Sequence, residues 1–241
     1  PATNQRGAGA ASFTVQVRDD GGTLWSGQDT HQSANTVTFN VTSVNDAPAG
    51  ANNTVTTLED TAYAFAAADF GFTDISDSPA NALQSVIIDT LPAAGTLTLI
   101  APASVTGAVT LGQTISAADL PHLRFAPAAN ANGTGYANFT FRVVDDGGTS
   151  DGGVNTDVAA NTLTINVTPV NDAPAGTDIT LTTLEDTPLS FVAADFGFSD
   201  VLDSPANTLS AVVITTLPAA GTLALIAGAS AVGPVTAGQA I

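Results

Sequence analysis

The chain repeats itself at one fixed interval. Val44–Gly50 and Val170–Gly176 both read VNDAPAG, Leu58–Thr61 and Leu184–Thr187 both read LEDT, and Asp69–Phe72 and Asp195–Phe198 both read DFGF. Asp77–Asn81 and Asp203–Asn207 share DSPAN, and Leu91–Leu97 and Leu217–Leu223 share LPAAGTL. Every pair is offset by 126, and Ala47–Ile115 matches Ala173–Ile241 at 46 of 69 positions without a gap. The beginning keeps the same register: Asp19-Asp20-Gly21-Gly22 matches Asp145-Asp146-Gly147-Gly148, and Pro1 aligns with Pro127. Self-similarity at a fixed period marks a chain built of tandem units. The expected organisation is the C-terminal part of a repeat (1–46), a complete repeat (47–172) and the N-terminal part of the next (173–241). Position 1 is not Met and Ile241 falls inside the pattern, so a segment of a longer tandem array is expected.

Inside a repeat the hydrophobic period is two. Phe139, Phe141 and Val143 alternate with Thr140 and Arg142; Leu163, Ile165 and Val167 alternate with Thr164 and Asn166; Val37, Phe39 and Val41 repeat that second pattern. Such alternation marks strands with one buried face. Further strands are expected at Thr54–Thr57, Ala62–Ala67, Leu83–Asp89, Thr96–Ile100, Val105–Leu111 and His122–Phe125. Ser116–Leu120 reads as one helical turn capped by Ser116. Seven or more short strands separated by Gly, Pro, Asn and Asp predict an all-β, two-sheet Greek-key sandwich in each repeat. The unit is longer than a minimal sandwich, so an inserted hairpin is expected near Ala101–Leu120, with long loops at Asp69–Ala82 and Asp145–Ala160.

The charge is one-sided. Four Arg and no Lys face 22 acids, a formal charge of −18, and among the acids only Glu59 and Glu185 are Glu. A nucleic-acid surface needs a basic footprint, which is missing. Cys is absent, which excludes disulfides and thiolate metal sites. No apolar run is long enough for a membrane-spanning helix. Asp favours turns and loops where Glu favours helices. The acids therefore read as loop carboxylates, either solubilising the surface or binding a hard cation.

Three acidic features recur in each repeat. They are the junction Asn45-Asp46-Ala47-Pro48 (Asn171-Asp172-Ala173-Pro174), the loop Asp74-x-x-Asp77 (Asp200-x-x-Asp203), and the Asp145-Asp146-Gly147-Gly148 turn. Taken singly, the turn reads as a hairpin and the junction as a linker. In a seven-strand sandwich, however, the second–third and sixth–seventh strand loops share one end with the incoming linker. Asp46, Asp74, Asp77 and Asp145 or Asp146 would then converge. Carboxylates so gathered repel one another, and Ca²⁺, which takes 6–8 oxygens at about 2.3–2.6 Å, turns the repulsion into attraction. Asp89 becomes Thr215 in the next repeat and reads as an ordinary surface acid.

The succession NDAP, EDT, an Asp-rich second–third strand loop, PAAN-x-NG, DDGG and a Thr-rich last strand resembles the cadherin-like tandem repeats of giant bacterial surface adhesins, over the whole chain. The resemblance implies a cadherin-like β-sandwich with calcium bridging consecutive units. It implies ligand roles for Asn45, Asp46, Asn171 and Asp172 in the linkers and for Asp74, Asp77, Asp200 and Asp203 in the loops. It also implies such a role for Asp145 (Asp19 in the first part-repeat) in the late turn. Glu59 or Asp60 resembles the first-strand acid that reaches the following junction beside Asp172. Two features depart from that family. The loop pair is Asp-x-x-Asp in place of Asp-x-Asp, and Pro127–Gly133 lacks the usual carboxylate, which lowers the charge expected at a junction.

Three functional classes follow. An enzyme is disfavoured: His31 aligns with Asp157, His122 has no counterpart in the part-repeats, and the acids recur in each unit. A ligand- or carbohydrate-binding module would have to rely on Trp25, the sole Trp, and one aromatic ring is a poor sugar platform. The favoured reading is a structural extender of a cell-surface adhesin or extracellular filament, secreted, from a Gram-negative bacterium, stiffened by Ca²⁺ at its junctions. Its partners are then adjacent repeats or neighbouring copies in a filament, with no nucleic acid and no membrane insertion. Completion of residues 173–241 by another copy's 1–46 is the alternative mode of growth, and it would lack a counterpart of Ser116–Ala126.

Overall fold

A computed structural model describes residues 4–227 and 230–241; Pro1 lies outside the described residues. The chain is all-β apart from five short 3-10 turns among the described residues. Two strands, β1 (Gly7–Val15) and β2 (Asn35–Val41), form an antiparallel hairpin. The complete repeat follows with β3 (Asn53–Leu58), β4 (Tyr63–Ala64), β5 (Leu83–Ile88), β6 (Thr96–Leu99), β7 (Gly107–Ala108), β8 (Thr114–Ser116), β9 (Leu123–Ala126), β10 (Gly133–Asp145) and β11 (Asn161–Thr168). After it come β12 (Ala224–Ala227) and β13 (Ser230–Pro234).

The complete repeat builds a five-stranded sheet, β3-β11-β10-β5-β8, and a four-stranded one, β4-β9-β6-β7. One core joins them: Phe139, Phe141, Ile165 and Ile88 from the first sheet meet Leu97 and Phe125 from the second, with Phe65 and Phe70 from the connecting chain. These are the inward residues of the alternating pattern. The rings meet edge to face, Phe70 on Phe141 at 4.9 Å and Phe65 on Phe139 at 5.8 Å, a geometry that aligns ring edges with π faces.

The 126-residue offset is written into the pairing. Gly7↔Val41 and Ala11↔Phe39 in the first hairpin repeat Gly133↔Val167 and Ala137↔Ile165, with a register shift at the same place. Ala224↔Pro234 repeats Thr98↔Ala108, and the isolated bridge Ala175↔Ser199 repeats Ala49↔Thr73. The outer parts leave apolar rings partly open: Phe13, Phe39 and Phe191 are each about half exposed.

The region expected to hold an inserted hairpin is organised differently. β7 pairs with β6 and β8 pairs with β5, in opposite sheets. The chain crosses from one layer to the other, so these two strands cannot pair with each other. The helical turn expected at Ser116–Leu120 moves to Leu120–His122, with Pro121 fixing its first residues. Asp119 ties the crossover down, accepting from the Ser104 backbone at 3.0 Å and the Ser116 hydroxyl at 2.8 Å. No helix among the described residues is long and apolar enough to cross a membrane.

Two pairings position the acids. β10 and β5 run antiparallel with Asp145 opposite Leu83, which sets the Asp74–Ala82 loop against the end of β10. β3 and β11 run parallel, with Leu58 opposite Thr168. Parallel partners leave a sheet at the same end, so Glu59 emerges beside the linker that follows β11. Its backbone N–H donates to the Thr168 carbonyl at 2.9 Å.

Candidate metal centres

At the first junction, the linker residue Asn45 is held from two sides. Its side-chain N–H₂ donates to Asp145 Oδ1 at 3.0 Å and to the Val154 carbonyl at 2.7 Å. Its side-chain oxygen accepts from the Asn81 side chain. The next backbone N–H, of Asp46, donates to Asp77 Oδ2 at 2.9 Å. Asp74 Oδ2 takes the Asn81 backbone N–H at 2.6 Å, and Asp145 Oδ1 takes that of Gly147 at 2.9 Å. Asp146 turns elsewhere and caps the Ala82 N–H at 2.8 Å. Of the alternatives Asp145 and Asp146, the structure thus brings Asp145 into the cluster.

Asp74, Asp77 and Asp145 are all buried, Asp145 completely. Asp74 Oδ1 and Asp145 Oδ2 are inaccessible and have no hydrogen-bond partner. A buried, unpaired acceptor costs about 1–3 kcal/mol, more when charged. Burial pushes the Asp145 carboxyl above its ordinary value; the Gly147 and Asn45 hydrogen bonds oppose the shift, and the charges of Asp74 and Asp77 reinforce it. Gly147 is the residue that permits this crowding. A Cβ there would run into the side chains of Asn45 and Asn81.

The second junction collects acids from both of the units it joins. One carboxylate oxygen each from Glu59, Asp172 and Asp203 lie within 4.8 Å of one another. Glu59 Oε1 accepts the Val170 N–H at 2.5 Å and Oε2 accepts from Asn132 at 3.0 Å. The Asp172 N–H points to the Asp203 carboxylate at 3.1 Å, repeating Asp46 and Asp77. Asn171 and Asn207 repeat Asn45 and Asn81, now at 2.7 Å. Asp200 Oδ1 repeats the unpaired, buried oxygen of Asp74. Asp60 belongs to the group as well: burial raises the Asp172 carboxyl, and so do the charges of Asp203, Asp60, Glu59 and Asp200. Both Glu59 and Asp60 therefore face the junction.

Asn130 adds an informative detail. Its carboxamide nitrogen, in the orientation that satisfies its neighbours, donates to Asp172 Oδ2 and Asp60 Oδ2 at 3.2 Å.

All these donors are carboxylate or amide oxygens, without imidazole or thiolate. That set suits a hard cation such as Ca²⁺. The spacing of Glu59, Asp172 and Asp203 is within one ion's coordination shell, and the three orphaned oxygens supply unused lone pairs. Asn81, Asn207, Asn130 and Asn132 carry no charge to single them out in the sequence, although Asn81 recurs as Asn207 in DSPAN. Comparison with protein families, with curated proteins and with solved structures finds no match for this chain.

Proposed function

We propose that the chain is an extender segment of an extracellular, cell-surface adhesin or filament from a Gram-negative bacterium, stiffened by Ca²⁺ where consecutive repeats meet. Each unit on this reading is a cadherin-like Greek-key sandwich, for which the strand orders β3-β11-β10-β5 and β4-β9-β6 are the support. The observation that carries the functional reading is the meeting of Glu59, from one repeat, with Asp172 of the linker and Asp203 of the next. An ion held by all three ties the units together, whereas without it their charges push the units apart.

At the first junction Asn45, Asp46, Asp74, Asp77 and Asp145 would hold the ion, and at the second Glu59, Asp60, Asn171, Asp172, Asp200 and Asp203. When bound, calcium supplies charge neutralisation and a fixed coordination geometry; the chain supplies placement. The parallel β3–β11 pair brings Glu59 to the linker, and the Asn45 and Asn171 amides keep the linkers on the loops. Catalysis forms no part of this reading. Isothermal titration with Ca²⁺ against the Glu59→Gln, Asp203→Asn double variant tests it: the variant should lose the heat of the second junction, and an unaltered isotherm would contradict the assignment.

Trp25 favours the alternative, a ligand- or carbohydrate-binding module, in one respect. It is almost fully exposed and sits at φ 58, a conformation uncommon for a bulky residue. It stands at the tip of one loop, where the next repeat has Asp151 at φ 56, so the backbone of the loop is common to both repeats and the ring is peculiar to one.

A further inference from the structure

The two junctions are built on the same frame but differ at one position that bears a charge. The loop leading into β1 copies the one leading into β10: Asn4 has φ 57 where Asn130 has φ 54, and Gly7 and Gly133 both have positive φ. With the hairpin register also conserved, Arg6 stands where Asn132 stands in the next repeat. Asn132 donates within its own unit, to Glu59. Arg6 instead reaches across the junction. Its Nη1 donates to the Ser76 carbonyl at 3.1 Å, in the turn between Asp74 and Asp77. The same side chain lines a small cleft with Asp46, Thr42 and Val44.

The other three arginines stay within their own units. Arg18 pairs with Asp29, Arg142 with Asp89, and Arg124 donates to the Pro121 and Leu123 carbonyls. At the first junction, therefore, a guanidinium is bonded to the loop that carries Asp74 and Asp77 and shares a cleft with Asp46. At the second, the corresponding loop, Asp200–Asp203, takes no bond from any of the four arginines among the described residues. A guanidinium stays protonated at any working pH and presents five donors in a rigid fork. A permanent positive charge beside carboxylates offsets part of the repulsion that would otherwise open the joint.

We propose that Arg6 is a resident cation of the first junction, latching the first part-repeat to the Asp74–Asp77 loop so that this joint stays docked without calcium while the second does not. The contrast between the joints rests on the calcium reading above; the latch itself rests on the Arg6–Ser76 contact. The array is then segmented, with joints set to hold or release by the residue at one position of the repeat.

The chain has no Cys, so labelling sites can be placed freely. Spin labels at exposed Thr38 and Thr56 span the first junction, and labels at Thr56 and Thr182 span the second. Distance distributions measured by electron-spin resonance on the 241-residue chain, with CaCl₂ and with EGTA, give the answer. In the parent chain, EGTA should broaden the second distribution and leave the first narrow. Arg6→Asn should abolish that resistance at the first junction, and Asn132→Arg should confer it on the second. Equal broadening at both junctions of the parent chain, or a first junction indifferent to Arg6→Asn in EGTA, would overturn the latch. If neither junction of the parent responds to EGTA, the calcium reading fails. Broadening of the first junction by Arg6→Asn would then still uphold the latch, and no broadening would sink it.

Discussion

Asn45 donates its side-chain amide to Asp145 Oδ1 at 3.0 Å across 100 residues of chain. One residue belongs to the linker and the other to the last position of β10. This contact fixes where a repeat begins relative to its own sheet. It also leaves Asp145 with one carboxylate oxygen satisfied and the other buried and unpaired.

That imbalance gives a pH prediction. Burial raises the Asp145 carboxyl in the folded chain, so the folded state keeps its proton to higher pH than the unfolded state does. Stability in chelator should then fall as pH rises from the ordinary carboxylate range through the raised value. Asp145→Asn removes the charge and keeps the shape. In EGTA the variant should be more stable than the parent at neutral pH, and the gap should shrink on acidification. Thermal melts across that range check it. In calcium the order should reverse.

Gly147→Ala tests the crowding. The new Cβ would collide with Asn45 and Asn81, and forcing atoms into a packed site costs about 1–3 kcal/mol. The variant should melt lower and lose calcium affinity at the first junction, with the second unaltered. Chemical denaturation and calorimetric titration on the same preparation read both effects.

Phe70→Ala tests the frame rather than the site. Phe70 is fully buried and meets Phe141 edge on. Truncating a buried Phe costs about 3–5 kcal/mol, so the denaturation midpoint of the complete repeat should drop sharply. A loss below about 1 kcal/mol would contradict the placement of Phe70 in the core.

Glu59→Gln separates hydrogen bonding from charge at the second junction. The Gln oxygen can still accept the Val170 N–H that Glu59 Oε1 takes now, and the Asn132 carboxamide, which donates to Oε2, can turn its oxygen to the new N–H₂, so the fold should hold. Calcium affinity, tuned by ligand charge count, should fall by about tenfold, equivalent to about 1.4 kcal/mol. Titration at constant ionic strength measures this, and an affinity equal to the parent's would remove Glu59 from the site.

Much of this was legible because two kinds of signal agreed. Phe139, Phe141 and Val143 alternate along the sequence, and the same residues line the core from β10. The 126-residue offset reappears in the strand registers because identical residues with identical turn chemistry meet the same partners. The gathering of Asp74, Asp77 and Asp145 followed from loop order once the strands were placed. Other features were hidden for physical reasons. Periodicity says which face of a strand is buried but not which sheet it joins, so the assignment of β7 and β8 to opposite layers could not be read from Val105–Leu111. The parallel β3–β11 pairing is a long-range relation with no local signature, so the approach of Glu59 or Asp60 to the following linker was expected only from the family resemblance. Asparagines escape a search by charge, yet Asn45, Asn81, Asn130 and Asn132 supply much of the hydrogen bonding around the acids.

Small-angle scattering of the 241-residue chain, in CaCl₂ and then in EGTA, tests most directly whether a cation shared between repeats sets the stiffness of the array. The account predicts a greater maximum dimension and a sharper long-distance limit in calcium, both lost on chelation and regained when calcium returns. A scattering profile that is the same in both buffers would contradict it.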